Sequence, residues 1–287
     1  MMLRSIELVL PDAAGAAGFL AGTWGMALAG EQHGTFYLRG SGRIPYLIAL
    51  EDGAERFVRS TTFTCNDEEL ARLEERTVAA GLAWTATRSA DPGGGERIVV
   101  ELPEGEALRF LKGTAEAEPL LGRDLPVKLT HVVLNSAEAE RSGRIMEAAL
   151  GFNISDRTKA MVFLSCNRSH HSIAFTQAGF PSLNHIALEM EDIDAVMRGI
   201  GRMRDHSMSP AWGPGRHGPG ANVFAYFVTP FGAVLEFSTA LEELPDDHRV
   251  GGPEDWTWPP NRNDHWGLSN KDTARLSAAE RSFRIGA

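Results

Sequence analysis

Short apolar runs alternate with longer amphipathic stretches, and the alternation occurs four times along the chain. Residues 6–10 lead into 11–29, residues 57–65 into 67–81, residues 129–134 into 136–150, and residues 185–190 into 192–203. The first kind of run fits strands buried on at least one face, and the second fits helices with one apolar side. Asp67, Ser136 and Asp192 stand where a side chain caps the free amides of a first helical turn, and Gly81 and Gly151 stand where helices stop. Each helix gives way to extended runs: 35–38 and 46–50, 98–102 and 107–111, 161–165 and 172–175, 223–228 and 233–237. The pattern is a βαβββ unit repeated four times, an α+β arrangement whose units pair into two domains.

Composition places the boundaries. Residues 113–123, with Glu-Ala-Glu-Pro inside, separate a domain at 1–118 from one at 124–243. The remainder, 244–287, carries Trp256, Trp258 and Trp266 among Pro, Asn and Asp, with a short helical stretch near 273–281. It is too aromatic for a disordered tag and is expected to pack back on the body, as a lid or a subunit contact. A chain of 287 residues with 43% hydrophobic and 23% charged residues has the composition of a soluble globular protein with room for two cores. A net charge of −10 argues against nucleic acid and against an anionic membrane surface as partners. Cys65 and Cys166 form neither a disulfide framework nor a CxxC motif, which suits a reducing cytoplasm. The first residues lack a continuous apolar leader, and no run approaches a membrane span, so a cytoplasmic location is expected.

Three strand-like segments carry a metal-binding inventory. His131 lies in Leu-Thr-His-Val-Val-Leu, His185 in Leu-Asn-His-Ile-Ala-Leu and Glu236 in Val-Leu-Glu-Phe, at nearly equal intervals. Two imidazoles and one carboxylate are the set that binds Fe(II) on one face and leaves positions open for substrate and oxygen. A lone histidine in an apolar strand is more often a core residue; three candidate ligands in matching contexts are not well explained that way. Laid over this half, the first half offers Glu7 for His131, Ser60 for His185 and Arg109 for Glu236. That set is poor for a transition metal, so one site per chain is expected, in the C-terminal domain.

Residues 129–239 resemble the type I extradiol ring-cleaving dioxygenases of the vicinal oxygen chelate superfamily. Four motifs carry the resemblance in order: Thr-His131-Val-Val, His171-Ser-Ile-Ala-Phe, Asn-His185-Ile-Ala-Leu, and a last one from Gly-Pro-Gly-Arg-His217-Gly through Tyr226 and Thr-Pro to Glu236. The resemblance implies paired βαβββ modules of the glyoxalase-like kind, with Fe(II) on His131, His185 and Glu236, Mn(II) suiting the same ligands. It implies His171 as acid-base residue, His217 as a second active-site histidine and Tyr226 as a donor to substrate. A catechol-type substrate, O₂ and a homo-oligomeric state come with it. Ring cleavage beside the diol would yield a hydroxymuconic semialdehyde or a related keto acid.

Blander readings compete at several positions. His170 adjoins His171, and strand alternation turns one of the pair inward; the His-x-x-Ala spacing to Ala174 selects His171. Gly213, Gly215, Gly218 and Gly220 are not followed by the Lys-Ser/Thr of a phosphate loop, so a mobile loop placing His217 is the better reading. His33, His206, His248 and His265 are assigned to surfaces and Cys166 to packing. Two other functions remain in play: a metal-dependent isomerase or epimerase of the same superfamily, and a metal-free small-molecule binding protein on the same scaffold.

Overall fold

The computed structural model describes residues 1–122 and 124–286. Arg123, the end of the expected linker, and Ala287 fall outside the described residues. Four βαβββ units follow one another. The first comprises β1 (Met2–Leu10), α1 (Ala13–Phe19, running on as a π-turn over Leu20–Trp24), β2 (Ala27–Gln32), β3 (Thr35–Arg39) and β4 (Ile48–Asp52). The second has β5 (Phe57–Thr64), α2 (Asp67–Ala79), β6 (Ala83–Arg88), β7 (Glu96–Glu101) and β8 (Ala107–Lys112). The third has β9 (Leu129–Ser136), α3 (Ala139–Leu150), β10 (Asn153–Arg157), β11 (Met161–Ser165) and β12 (Ile173–Gln177). The fourth has β13 (Ser182–Glu189), α4 (Ile193–Asp205), β14 (Trp212–Arg216), β15 (Val223–Val228) and β16 (Val234–Thr239). α5 (Thr273–Ala279) and β17 (Arg284–Ile285) close the chain.

Strand pairing makes the two halves copies of one layout. In the first, the order across the sheet is β2-β3-β4-β1-β5-β8-β7-β6, with β1 antiparallel to β5 and parallel to β4. In the second it is β10-β11-β12-β9-β13-β16-β15-β14, with β9 antiparallel to β13 and parallel to β12. Even the irregularities recur. The β1–β5 ladder skips at Arg4 and at Arg59, and the β9–β13 ladder skips at Thr130 and Asn184. Each bulge leaves one residue without a cross-strand partner and re-aims its neighbours. Short β17 bridges β5 and β13.

The halves are joined through packed aromatic surface. The Trp24 ring of the π-turn stacks on Phe237 of β16 at 3.9 Å between centroids. The Arg202 guanidinium of α4 donates to the carbonyls of Thr23 and Trp24. Both rings are fully buried, so this contact contributes the stabilisation of large apolar area removed from water.

Several sequence expectations need correction. β2, β6 and β14 are edge strands whose polar or glycine-rich sequences carry no buried alternation; all of β6 is exposed, and β2 takes the end of the stretch read as helix to Ala29. β10 is a short outer strand whose pattern breaks at a bulge. The cap of α2 is Asn66, which accepts from the Glu69 amide while the Glu69 carboxylate accepts from the Asn66 amide; Asp67 is the first helical residue. α3 starts at Ala139, and Ser136 ends β9. The loop expected before His217 is strand β14, where a Cβ at Gly215 would lie 2.4 Å from the Phe224 ring.

Candidate metal centre

His131, His185 and Glu236 come from three neighbouring strands. Ala187 of β13 faces His131 on one side and Glu236 on the other, and His185 lies two residues earlier on the same strand. All three are buried. The His131 and His185 Nε2 atoms are 3.3 Å apart, and each is within 3.3 Å of Glu236 Oε2. Donors about 2.1 Å from one ion and roughly 100° apart would be separated by about 3.2 Å.

The donor set fits a divalent metal for a further reason. Glu236 Oε1 accepts from Asn222 Nδ2 at 3.0 Å, whereas the buried Oε2 makes no hydrogen bond. His185 Nδ1–H donates to Asn184 Oδ1 at 2.7 Å, which leaves the Nε2 lone pair facing the cluster. Asn184 is itself held, its amide donating to Asn135 Oδ1. A buried carboxylate oxygen without a hydrogen bond, set beside two imidazole nitrogens, is a donor set that one cation would satisfy. Burial by itself would raise the Glu236 carboxyl, but the two imidazoles outweigh it and hold the group well below the usual carboxylate range. Burial pushes His185 down, against the pull of Glu236.

The cluster opens into a cavity of about 680 Å³. His171 lines it, its ring centre 4.3 Å from that of His131, and burial among other histidines pushes its pKa well below the usual value. His217 Nε2 and the Tyr226 hydroxyl are 2.9 Å apart. The His217 ring stacks on Phe224 at 3.9 Å, and Tyr226 meets His185 edge-on. Burial lowers His217 to about 3 and raises the Tyr226 phenol well above its ordinary value. At neutral pH the cavity wall therefore carries neutral imidazoles and a protonated phenol. His170 is also fully buried, but it turns to Asp156 instead of the cavity.

The tail also contributes to the wall. Trp256 and Trp258 face the cavity, and a Cβ on Gly218 would fall 2.0 Å from the Trp258 ring. Trp266 sits outside, under the Arg216 guanidinium. Lys271 reaches in over the face of Trp212, its ammonium 4.8 Å from the ring centre and its pKa lowered by desolvation. Asn184 was open to sequence reasoning as the neighbour of His185; Asn222, Asp156 and Lys271 were not, since only long-range folding brings them here.

Residues 128–237 match the glyoxalase/bleomycin resistance protein/dioxygenase superfamily model. A solved Mn(II)-bound glyoxalase from Novosphingobium aromaticivorans is 31% identical, with a TM-score of 0.87 over 96% of this chain and 93% of its own. An iron-dependent extradiol dioxygenase of Rhodococcus jostii is 27% identical over 76% of this chain and 81% of its own. Metapyrocatechase 2 of Cupriavidus necator is 25% identical over 68% of each. With a relative above 30% identity along nearly its whole length, the chain belongs to the glyoxalase/bleomycin resistance protein/dioxygenase superfamily.

Proposed function

We propose that this protein is an extradiol dioxygenase that cleaves a catechol-type ring beside its diol with O₂, using Fe(II) on His131, His185 and Glu236. The names of its relatives divide between ring-cleaving dioxygenases and a glyoxalase. What carries the dioxygenase reading is the wall beside the ligands, where neutral His171 and the His217–Tyr226 pair face the same cavity. An isomerase working through carboxylate ligands has no use for all three. A metal held by His131, His185 and Glu236 would supply Lewis-acid activation of the diol and of O₂. Mn(II) suits the same donors.

The remaining chemistry belongs to side chains. His171 takes a proton from a substrate hydroxyl and returns it after ring opening, as a neutral imidazole can. With His217 Nε2–H donating to the phenol oxygen, the Tyr226 O–H is free to donate to a substrate oxygen. Both are fixed dipoles that need no reorientation when charge develops. Trp256 and Trp258 line the same cavity, which supports a lid role for the tail.

Exposed Leu28 on β2 and Trp84 on β6, both edge strands, supply surface for a homo-oligomer. Cys65 and Cys166 are free thiols, which fits a reducing compartment, and no helix among the described residues is long and apolar enough to cross a membrane.

The test is anaerobic reconstitution with Fe(II), and separately Mn(II), followed by a catechol panel with O₂ uptake and visible absorbance. Stoichiometric uptake with a yellow ring-opened product supports the proposal. A metal-loaded protein that consumes no O₂ but isomerises a thiol adduct of an α-ketoaldehyde would overturn it.

A further inference from the structure

Behind His171 lies a buried chain of polar groups that no step above uses. His171 Nδ1 is 3.0 Å from His170 Nδ1, and His170 Nε2 is 2.7 Å from Asp156 Oδ2. All three residues are buried, at 3%, 0% and 2% exposure. The other carboxylate oxygen, Asp156 Oδ1, accepts the Gly251 amide at 2.6 Å. The backbone holds the pair in place: the His170 amide donates to the Glu242 carbonyl, and a Cβ on Gly220 would press within 3.2 Å of both rings.

With Asp156 ionised and His170 neutral, one arrangement of donors and acceptors satisfies the chain. An ionised carboxylate only accepts, so His170 must present Nε2–H to Asp156. A neutral His170 then offers a lone pair at Nδ1, and His171 must supply the proton between the two Nδ1 atoms. That leaves the second nitrogen of His171, Nε2, unprotonated and without a protein partner, on a residue that lines the cavity. We propose that Asp156 and His170 are positioning residues that set the His171 tautomer and relay its proton. When a substrate hydroxyl gives its proton to His171 Nε2, the proton on His171 Nδ1 passes to His170 Nδ1. The result is a deprotonated substrate oxygen, a neutral His171 protonated at Nε2, and a His170 imidazolium paired with Asp156. The positive charge comes to rest beside a carboxylate instead of beside the metal ligands, and the reverse transfer returns the proton. Nothing is oxidised or reduced in the relay.

This inference rests on the proposed role of His171, but its first test does not depend on activity. The full chain, labelled with isotopic nitrogen in histidine and loaded with diamagnetic Zn(II), reports by NMR which nitrogen of His171 carries the proton, the signal being assigned with H171N. Protonation at Nδ1 in the wild type is expected; protonation at Nε2 overturns the relay whether or not the protein cleaves catechols. In D156N the Gly251 amide keeps the amide oxygen on its side and turns the amide NH₂ to His170 Nε2. The tautomers of both histidines should then invert, placing a proton on the His171 nitrogen needed as base. With an accepted catechol, kcat should fall by roughly 100-fold or more while KM moves less than about threefold, as expected for a base locked in the wrong tautomer. D156E should recover part of both readouts. An unchanged tautomer and kcat in folded D156N would overturn the relay. If the wild-type tautomer is as expected but no catechol is cleaved, the dioxygenase reading fails and the positioning role stands.

Discussion

The two halves share strand order, register and bulges, yet hold opposite chemistry at the same place. Ser5 faces Thr62, which faces Arg109, just as His131 faces Ala187, which faces Glu236. Ser60 precedes Thr62 by two positions as His185 precedes Ala187. Register therefore puts Ser5, not Glu7, where His131 stands; Glu7 matches Val133, opposite Ala49 as Val133 is opposite Ala174. Glu7 thus stands at the position whose counterpart, Val133, lines the cavity in the other half. It accepts from Ser5, Tyr46, Ser60 and Thr62 and faces Arg109 at 3.8 Å. Its carboxylate is fully partnered, whereas Glu236 Oε2 has no hydrogen bond. One scaffold thus makes a self-satisfied polar core or a candidate metal site, depending on whether the converging groups complete one another or leave an acceptor unpartnered.

The comparison breaks most completely at the ligands. Glu236→Ala should abolish stoichiometric metal binding and all metal-dependent activity, read by metal analysis and O₂ uptake, with the fold retained. A variant that keeps its metal would mean the three donors are not the ligand set. Glu7→Ala should do the converse. Removing the acceptor of four buried hydroxyls and leaving Arg109 short of a partner should cost about 3–5 kcal/mol in urea unfolding. Metal content should stay at wild-type level, and a loss of metal would show that the halves are not independent in this respect.

Acid should separate the halves in the metal-free protein. His171 and His217 have folded pKa values depressed by burial, so the unfolded chain binds more protons below its histidine pKa of about 6.5. Their contribution is fully present above that pH and is lost as pH falls toward the folded values. Between pH 6.5 and 5.5 each should cost up to about 1 kcal/mol, less for His217 where solvent in the cavity screens it. The first half has only His33, which is exposed. Hydrogen exchange should therefore quicken in β9, β13 and β16 before β1, β5 and β8; equal quickening would contradict the assignment.

The repeat was legible because the inner strands are apolar and the helices amphipathic, and the ligand inventory because His131, His185 and Glu236 interrupt those apolar strands. What stayed hidden was set by pairing. β6 and β14 are strands only because β7 and β15 lie beside them, and the displacement of Glu7 by two residues depends on bulges that no hydrophobic pattern marks. Asp156 reaches His170 from another strand, and Lys271 reaches the cavity from the tail. The motif around His171 pointed to that ring; the chain of groups behind it needed coordinates.

The smallest effect is expected at the recurring bulge. Asn184 and Arg59 occupy matching irregular positions, each just before the residue that points inward. Arg59 pairs outward with Glu51, both half-exposed, and contributes nothing to Ser60. Asn184 turns inward and fixes the His185 tautomer. Asn184→Ala removes that acceptor but leaves the ring held by the edge of Tyr226 and by its place on β13. Metal affinity should fall about tenfold, the lower end of what losing a ligand's hydrogen-bond partner produces. Arg59→Ala should leave it unchanged. Competitive chelator titration of both variants measures the pair; an equal effect at the two positions would mean that the bulge itself, and not the side chain it presents, tunes the site.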